Sequence, residues 1–221
     1  MKIGLFDSGI GGTTVLESVK KVLPSEEYKY IADSKNCPYG EKSDAELKKI
    51  VTQNVETLKN WGAKIIVIAC NTATTRCISY LRDQYPDLQF VGTEPAIKLA
   101  TNTNARQILV MATPGTIESE RTKALLQENQ KPQQNIKLLP CPGLADTIEE
   151  NFPSQNLEPI KQYLHLLFKN IDHAPDVIVL GCTHYSLIKT IIQDFFKKDK
   201  NIDGNAGVAH QVQKISEKLE K

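Results

Sequence analysis

The sequence has no long hydrophobic run. Its longest, Ile65 to Cys70, falls far short of the roughly 20 apolar residues that span a bilayer. The opening apolar stretch is interrupted at Asp7, too early for the hydrophobic region of a signal peptide. Charge of one sign is missing as well. The formal net charge is +1, which gives no electrostatic reason to expect nucleic acid or an anionic membrane surface as partner. The final stretch, Lys214 to Lys221, alternates Lys and Glu and reads as a solvated helix end, not a basic arm. There is no Cys-x-x-Cys, and the cysteine count is five, an odd number. Neither a disulfide framework nor a zinc site is suggested, so no metal is expected and a reducing cytoplasm is the simplest location. Also absent are the Gly-x-Gly-x-x-Gly fingerprint and the P-loop Gly-Lys-Ser/Thr, which argues against a nucleotide site at the glycine turn near the start.

What is present is ordinary in amount and regular in order. The 221 residues are 40% apolar and 24% charged, enough to bury a sizeable core in one large domain or two small ones. Lys2 to Phe6 reads as a strand, Ser8 to Gly12 as a glycine-rich turn, and Thr13 to Leu23 as a helix stopped near Pro24. Tyr28 to Ala32 is a second strand ending at Asp33. Asp44 to Trp61 carries apolar residues at helical spacing behind an N-cap candidate, Ser43. Lys64 to Ala69 is a β-branched run suited to a strand covered on both faces. The alternation then restarts, with strands at Gln107 to Ala112, Ile136 to Leu139 and Val177 to Leu180. The helices of this half are expected at Ile117 to Asn129 and Leu157 to Asn170. Ile65-Ile66-Val67-Ile68-Ala69-Cys70 resembles Val177-Ile178-Val179-Leu180-Gly181-Cys182, and Ile3 to Gly12 resembles Ile108 to Thr116.

These patterns predict an α/β protein of two doubly wound parallel-sheet domains related by a pseudo-two-fold axis, their strand ends facing each other. Residues 1–93 with 205–221 would form the first domain and 94–204 the second, the final helix from about Gly207 packing back on the first.

In open parallel sheets ligands sit outside the carboxyl ends of the strands. Asp7-Ser8, Cys70-Asn71-Thr72, Thr113 to Thr116 and Cys182-Thr183-His184 all lie at such ends. Each precedes an expected helix, whose free N–H groups and dipole favour anions. A ligand with two carboxylates would find partners there. Cys70 and Cys182 are therefore placed where a thiol pKa is lowered, although a single buried cysteine is more often a small hydrophobe. Asp7 could serve as an acid–base partner or only as a turn acceptor, and His184 could tune a thiol or be structural. His184 stands two residues past Cys182, so the two side chains need not touch. Cys77 reads as core, and Cys37 and Cys141 carry no assigned role.

Five segments together resemble the glutamate racemase family, within the aspartate/glutamate racemase superfamily. They are Phe6-Asp7-Ser8-Gly9-Ile10-Gly11-Gly12, Pro38-Tyr39-Gly40-Glu41-Lys42-Ser43, Ala69-Cys70-Asn71-Thr72-Ala73, Ala112-Thr113-Pro114-Gly115-Thr116 and Leu180-Gly181-Cys182-Thr183-His184-Tyr185. They stand in the family's order and span almost the whole chain. The resemblance implies an active site in the cleft between the two domains, and interconversion of L- and D-glutamate there without a cofactor, supplying D-glutamate for peptidoglycan. It implies that Cys70 and Cys182 are acid–base residues on opposite faces of Cα, assisted by Asp7 and His184, with Cys182 acting on the L form and Cys70 on the D form. Ser8, Pro38, Tyr39, Gly40, Asn71, Thr72, Thr113, Thr116, Glu149 and Thr183, along with Asp7 and His184, would lie at or near the substrate. The implied partner is this small molecule, neither nucleic acid nor membrane, and a homodimer is left open.

The chain also departs from the family pattern. Gly143-Leu144-Ala145-Asp146-Thr147-Ile148-Glu149 follows Cys141-Pro142, which brings Asp146 into a normally apolar segment. Ser186 replaces a common proline, Cys37 replaces an apolar residue before Pro38, and the chain ends soon after its last helix begins. These departures bear on specificity and assembly, and the segment around Asp146 keeps open an aspartate or broader amino-acid racemase. An amino-acid-binding regulatory protein without turnover is a separate alternative, against which the presence of both cysteines argues.

Overall fold

A computed structural model describes residues 1–171, 173–196 and 201–220. The first half runs β1 (Lys2–Asp7), α1 (Thr13–Val22), β2 (Glu27–Ala32), α2 (Asp44–Asn60), β3 (Ile65–Ile68), α3 (Asn71–Gln84), β4 (Gln89–Gly92) and α4 (Ile97–Thr101). The second runs β5 (Gln107–Ala112), α5 (Pro114–Ile117), α6 (Glu120–Asn129), β6 (Asn135–Pro140), α7 (Leu144–Asn151), α8 (Glu158–Phe168) and β7 (Val177–Leu180). It continues through α9 (Thr183–Leu187), α10 (Lys189–Phe196), β8 (Asn201–Ile202) and α11 (Asn205–Leu219). The strands form two four-stranded parallel sheets of the same topology, β2-β1-β3-β4 and β6-β5-β7-β8. In each sheet the direction of winding reverses between the first and third strands, the point at which α/β sheets open a crevice.

Period-two burial on both faces explains the unbroken aliphatic runs. Ile65 and Val67 pack under α1 and α11 with Ile3, Leu5, Val208 and Val212, whereas Ile66 and Ile68 pack under α2 and α3 with Leu47, Val51 and Leu81. The second sheet repeats this, Ile178 and Leu180 facing one core and Val177 and Val179 the other. The last helix packs against α1, β3 and β4. Lys221, the end of the Lys–Glu stretch, lies outside the described residues.

Most predicted elements agree with these bounds to within two residues, with one correction. The helix expected over Ile117–Asn129 is broken. Thr113 caps a short α5 through its hydroxyl to the Thr116 N–H, and Ser119 then caps a separate α6 by accepting from the Thr122 N–H. Two consecutive side-chain caps offer the backbone an alternative to one continuous helix. Ser43 caps α2 as expected, in a reciprocal capping box with Glu46.

The carboxyl ends of the two sheets meet through the glycine turn. Residues Ile10–Gly12 form a 3-10 turn that packs against α9, and Tyr30 donates its hydroxyl to the Gly9 carbonyl at 2.5 Å. A Cβ on Gly11 would lie 2.5 Å from the His184 backbone nitrogen and 2.7 Å from the Thr183 hydroxyl oxygen. One on Gly9 would meet the Glu149 carboxylate at 2.2 Å. The glycines are there for close approach of protein to protein, which accounts for the missing phosphate-binding fingerprint. Gly11→Ala must push α9 away and should destabilise the fold by about 1–3 kcal/mol. Urea unfolding should read this as a lower midpoint with an unchanged slope.

Candidate active site

Asp7 ends β1 with no solvent exposure. Its Oδ2 accepts the Gly12 N–H at 2.7 Å and, from the other half of the chain, the Thr183 hydroxyl at 3.2 Å. Its Oδ1 has no hydrogen-bond partner among the described residues. Burial raises the Asp7 pKa, while the nearby His184, the Gly12 and Ser8 N–H groups and the Thr183 hydroxyl pull the other way.

Cys70 and Cys182 occupy matching places, each extended in backbone and each the N-cap of the helix that follows its strand. The Cys70 thiol donates to Ser8 Oγ at 3.9 Å, and Cys182 Sγ lies 3.8 Å from His184 Nδ1. The predicted lowering of the thiol pKa does not hold. Burial pushes Cys70 up to about 12, the Asp7 charge adds to this, and the Ala73 and Thr72 N–H groups oppose it without prevailing. Burial likewise raises Cys182 well above its ordinary value, helped by negative charge on Cys70 and then on Asp7. The two thiols therefore lie within electrostatic reach of each other. Helix N-termini worth a fraction of a charge lose here to desolvation.

His184, fully buried, places Nε2 2.7 Å from Glu149 Oε2, so its ring bridges the Cys182 thiol and a carboxylate. The direct approach to Cys182 goes beyond the sequence reading, in which the two side chains need not meet. Glu149 also accepts the Ile10 N–H at 2.8 Å and the Ser34 hydroxyl at 2.5 Å. Burial works to raise its pKa, but His184, Ser34 and Ile10 together hold it below the ordinary carboxylate value. Glu149 thus ties α7 of the second half to the glycine turn and the β2 loop of the first.

A second bridge is made of hydroxyls. Thr72 Oγ1 lies 2.9 Å from Thr113 Oγ1 and 3.1 Å from Thr116 Oγ1, and Thr113 donates to Thr116 at 3.0 Å. A Cβ on Gly40 would touch Thr113 Cβ at 3.2 Å. Asn71 is buried next to Cys70, with its Oδ1 unpartnered among the described residues. Pro38 follows a cis peptide bond, and the Tyr39 hydroxyl donates to Asp33 at 2.6 Å and accepts from Asn54 at 3.0 Å.

Cys77 and Cys141 lie in apolar cores. Cys37 is half-buried, close to Glu149 and His184. Sequence reasoning missed Ser34 and the Ile10 N–H as partners of Glu149. Neither has a residue-type signal, since one is a loop serine and the other a backbone group. Asp146 is half-buried, and burial followed by the Glu41 charge raises its pKa.

Residues 12–212 match the family model described as Asp/Glu/Hydantoin racemase. The glutamate racemase of Clostridium botulinum (strain Alaska E43 / Type E3) is 39% identical over 215 residues, covering 96% of this chain and 82% of the relative. The Escherichia coli glutamate racemase, solved in complex with L-glutamate and the activator UDP-MurNAc-ala, superposes with a TM-score of 0.86 at 29% identity, over 96% of this chain and 80% of that one. The Francisella tularensis enzyme, solved with D-glutamate, gives 0.82 at 28% identity, over 99% and 82%. This chain belongs to the Asp/Glu/Hydantoin racemase family and, within it, to the glutamate racemases.

Proposed function

We propose that this chain interconverts L- and D-glutamate by proton transfer between Cα and two thiols, Cys182 serving the L form and Cys70 the D form. The observation that carries the reading is the pair of buried cysteines at equivalent strand ends of two like sheets, each the N-cap of the following helix. Racemisation needs a base on one face of Cα and an acid on the other. A single base would have to swing round or exchange its proton with water.

The α-proton is weakly acidic, so a thiolate is a suitably strong base for it, and the raised thiol pKa is a cost because it leaves little thiolate at neutral pH. When Cys182 deprotonates the L form, Cys70 donates to the opposite face, and the reverse reaction exchanges their roles. His184 is positioned to take and return the Cys182 proton, with Glu149 holding the ring. Asp7 and Ser8 flank the Cys70 side. Developing charge on the substrate would be met by N–H groups at the starts of α3 and α9, by Asn71, and by the hydroxyls of Thr72, Thr113, Thr116 and Thr183 in a site closed to water. Pro38, Tyr39 and Gly40 would form the wall facing them.

The division into 1–93 with 205–221 and 94–204 belongs to this reading, since the two segments would close over the substrate. The packing of α11 on α1 supports it. Use of D-glutamate for peptidoglycan in a reducing cytoplasm fits the relatives and the five free cysteines. No helix among the described residues is long and apolar enough to cross a membrane.

In deuterated water, L-glutamate should lose optical rotation and take up deuterium at Cα, with L-aspartate inert. Turnover of L-aspartate alone would favour the broader racemase, and exchange of neither would leave a binding protein. Cys70→Ala or Cys182→Ala should lower kcat/KM by at least roughly 10²–10⁴-fold. Cys77→Ala should leave it largely intact. Full activity in either of the first two variants overturns the two-thiol mechanism.

Asp7→Asn removes a negative charge that raises both thiols. The pH midpoint for iodoacetamide alkylation at Cys70, which burial and the Asp7 charge place above that of a free thiol, should therefore move down. An unchanged or higher midpoint, mapped by mass spectrometry of the labelled peptide, would show that the Asp7 charge does not govern the thiol.

A further inference from the structure

Cys37 stands outside the proposed reaction, yet its surroundings are not those of an inert core thiol. One donor atom from each of Cys37, Glu149 and His184 lies within 4.8 Å of the other two. The three residues come from the loop after β2, from α7 and from the start of α9, so the fold and not local sequence gathers them. Thiolate, imidazole and carboxylate are donors that Zn²⁺ takes in tetrahedral sites, with bond lengths of about 2.0–2.3 Å that set ligand atoms roughly 3.5 Å apart. The 2.7 Å contact between His184 Nε2 and Glu149 Oε2 has to open to that spacing, and the other two separations already lie within 4.8 Å.

Electrostatics points the same way. Glu149, Asp146 and Asp7 bring negative charge to the surroundings of Cys37, and a divalent cation would answer it. Cys37 is half-buried, which leaves an approach for an ion.

We propose that Cys37, Glu149 and His184 form an inhibitory Zn²⁺ site at the cleft. The Cys37 proton passes to solvent as the sulfur binds, and water fills the fourth position. The ion takes His184 and Glu149 from Cys182, so the inhibition rests on the function proposed above while the site itself does not.

Co²⁺ added to the purified protein, as a spectroscopic stand-in for Zn²⁺, tests the site without turnover. A thiolate-to-cobalt charge-transfer band should appear in the wild type, persist in Cys70→Ala and Cys182→Ala, and vanish in Cys37→Val and Cys37→Ser. Separately, Zn²⁺ should inhibit wild-type racemisation. Cys37→Val and Cys37→Ser, active without metal, should need roughly 10-fold more Zn²⁺ or beyond, the least that loss of a direct ligand costs. A band that survives in both Cys37 variants and is lost in Cys182→Ala or Cys70→Ala would place the metal on the proposed catalytic thiols and overturn the site. So would normal racemisation with no band and no zinc sensitivity. A Cys37-dependent band in a protein that racemises nothing would uphold the site and sink the function.

Discussion

Everything at the cleft depends on how closely the glycine turn after β1 meets the start of α9. Gly11 leaves no room for a Cβ beside the His184 nitrogen, and the Glu149 carboxylate reaches over Gly9 to the Ile10 N–H. This contact brings the Thr183 hydroxyl to Asp7 and so joins the end of β7 to the end of β1. A contact made of backbone and short side chains has little slack, so it fixes separation as well as orientation. Cores transmit such constraints because they are close-packed and resist small changes in volume.

The same closeness accounts for the electrostatics. Asp7, Cys70, Cys182 and His184 are all buried, and several of these groups disfavour one another's charged forms. Such an arrangement stabilises nothing by itself, since unpaired buried charge is costly. For the proposed reaction it would supply a pair of strong, reluctant bases in a buried site, with one well-partnered carboxylate, Glu149, whose pKa is held down at the edge. Sites that run acid–base chemistry commonly carry this kind of conflict.

Much of this was legible from the chain. The aliphatic runs Ile65–Ile68 and Val177–Leu180 could only be strands covered on both faces, and a shared small-residue–cysteine ending marked the repeat. The small residue has a local reason at Gly181, where a Cβ would lie 2.8 Å from the Met111 carbonyl oxygen. The break between α5 and α6 was not legible, because a serine such as Ser119 inside a helical pattern does not declare from sequence alone that it caps a new helix. β4, Gln89-Phe90-Val91-Gly92, and β8, Asn201-Ile202, escaped because neither has the unbroken aliphatic run that marks β3 and β7. The lowered thiol pKa was the more instructive error. Position at a helix start can be read from sequence, whereas the depth of burial that outweighs it comes only from the assembled halves.

The two sheets share a topology, but the two thiols do not share surroundings. Cys70 has a serine hydroxyl and lies near a buried aspartate, while Cys182 has an imidazole backed by a carboxylate. For the proposed reaction this asymmetry meets a strict limit. L- and D-glutamate have equal free energy in water, and kcat/KM measures the climb from free enzyme and free substrate to one transition state. The two directions must therefore have equal kcat/KM, however unlike the two bases are. The difference between the thiols can show itself only in how each direction divides that ratio between binding and turnover. A symmetric fold is not required for a balanced racemase, and the chain was free to furnish one side of its cleft with His184 and Glu149 and leave the other without them.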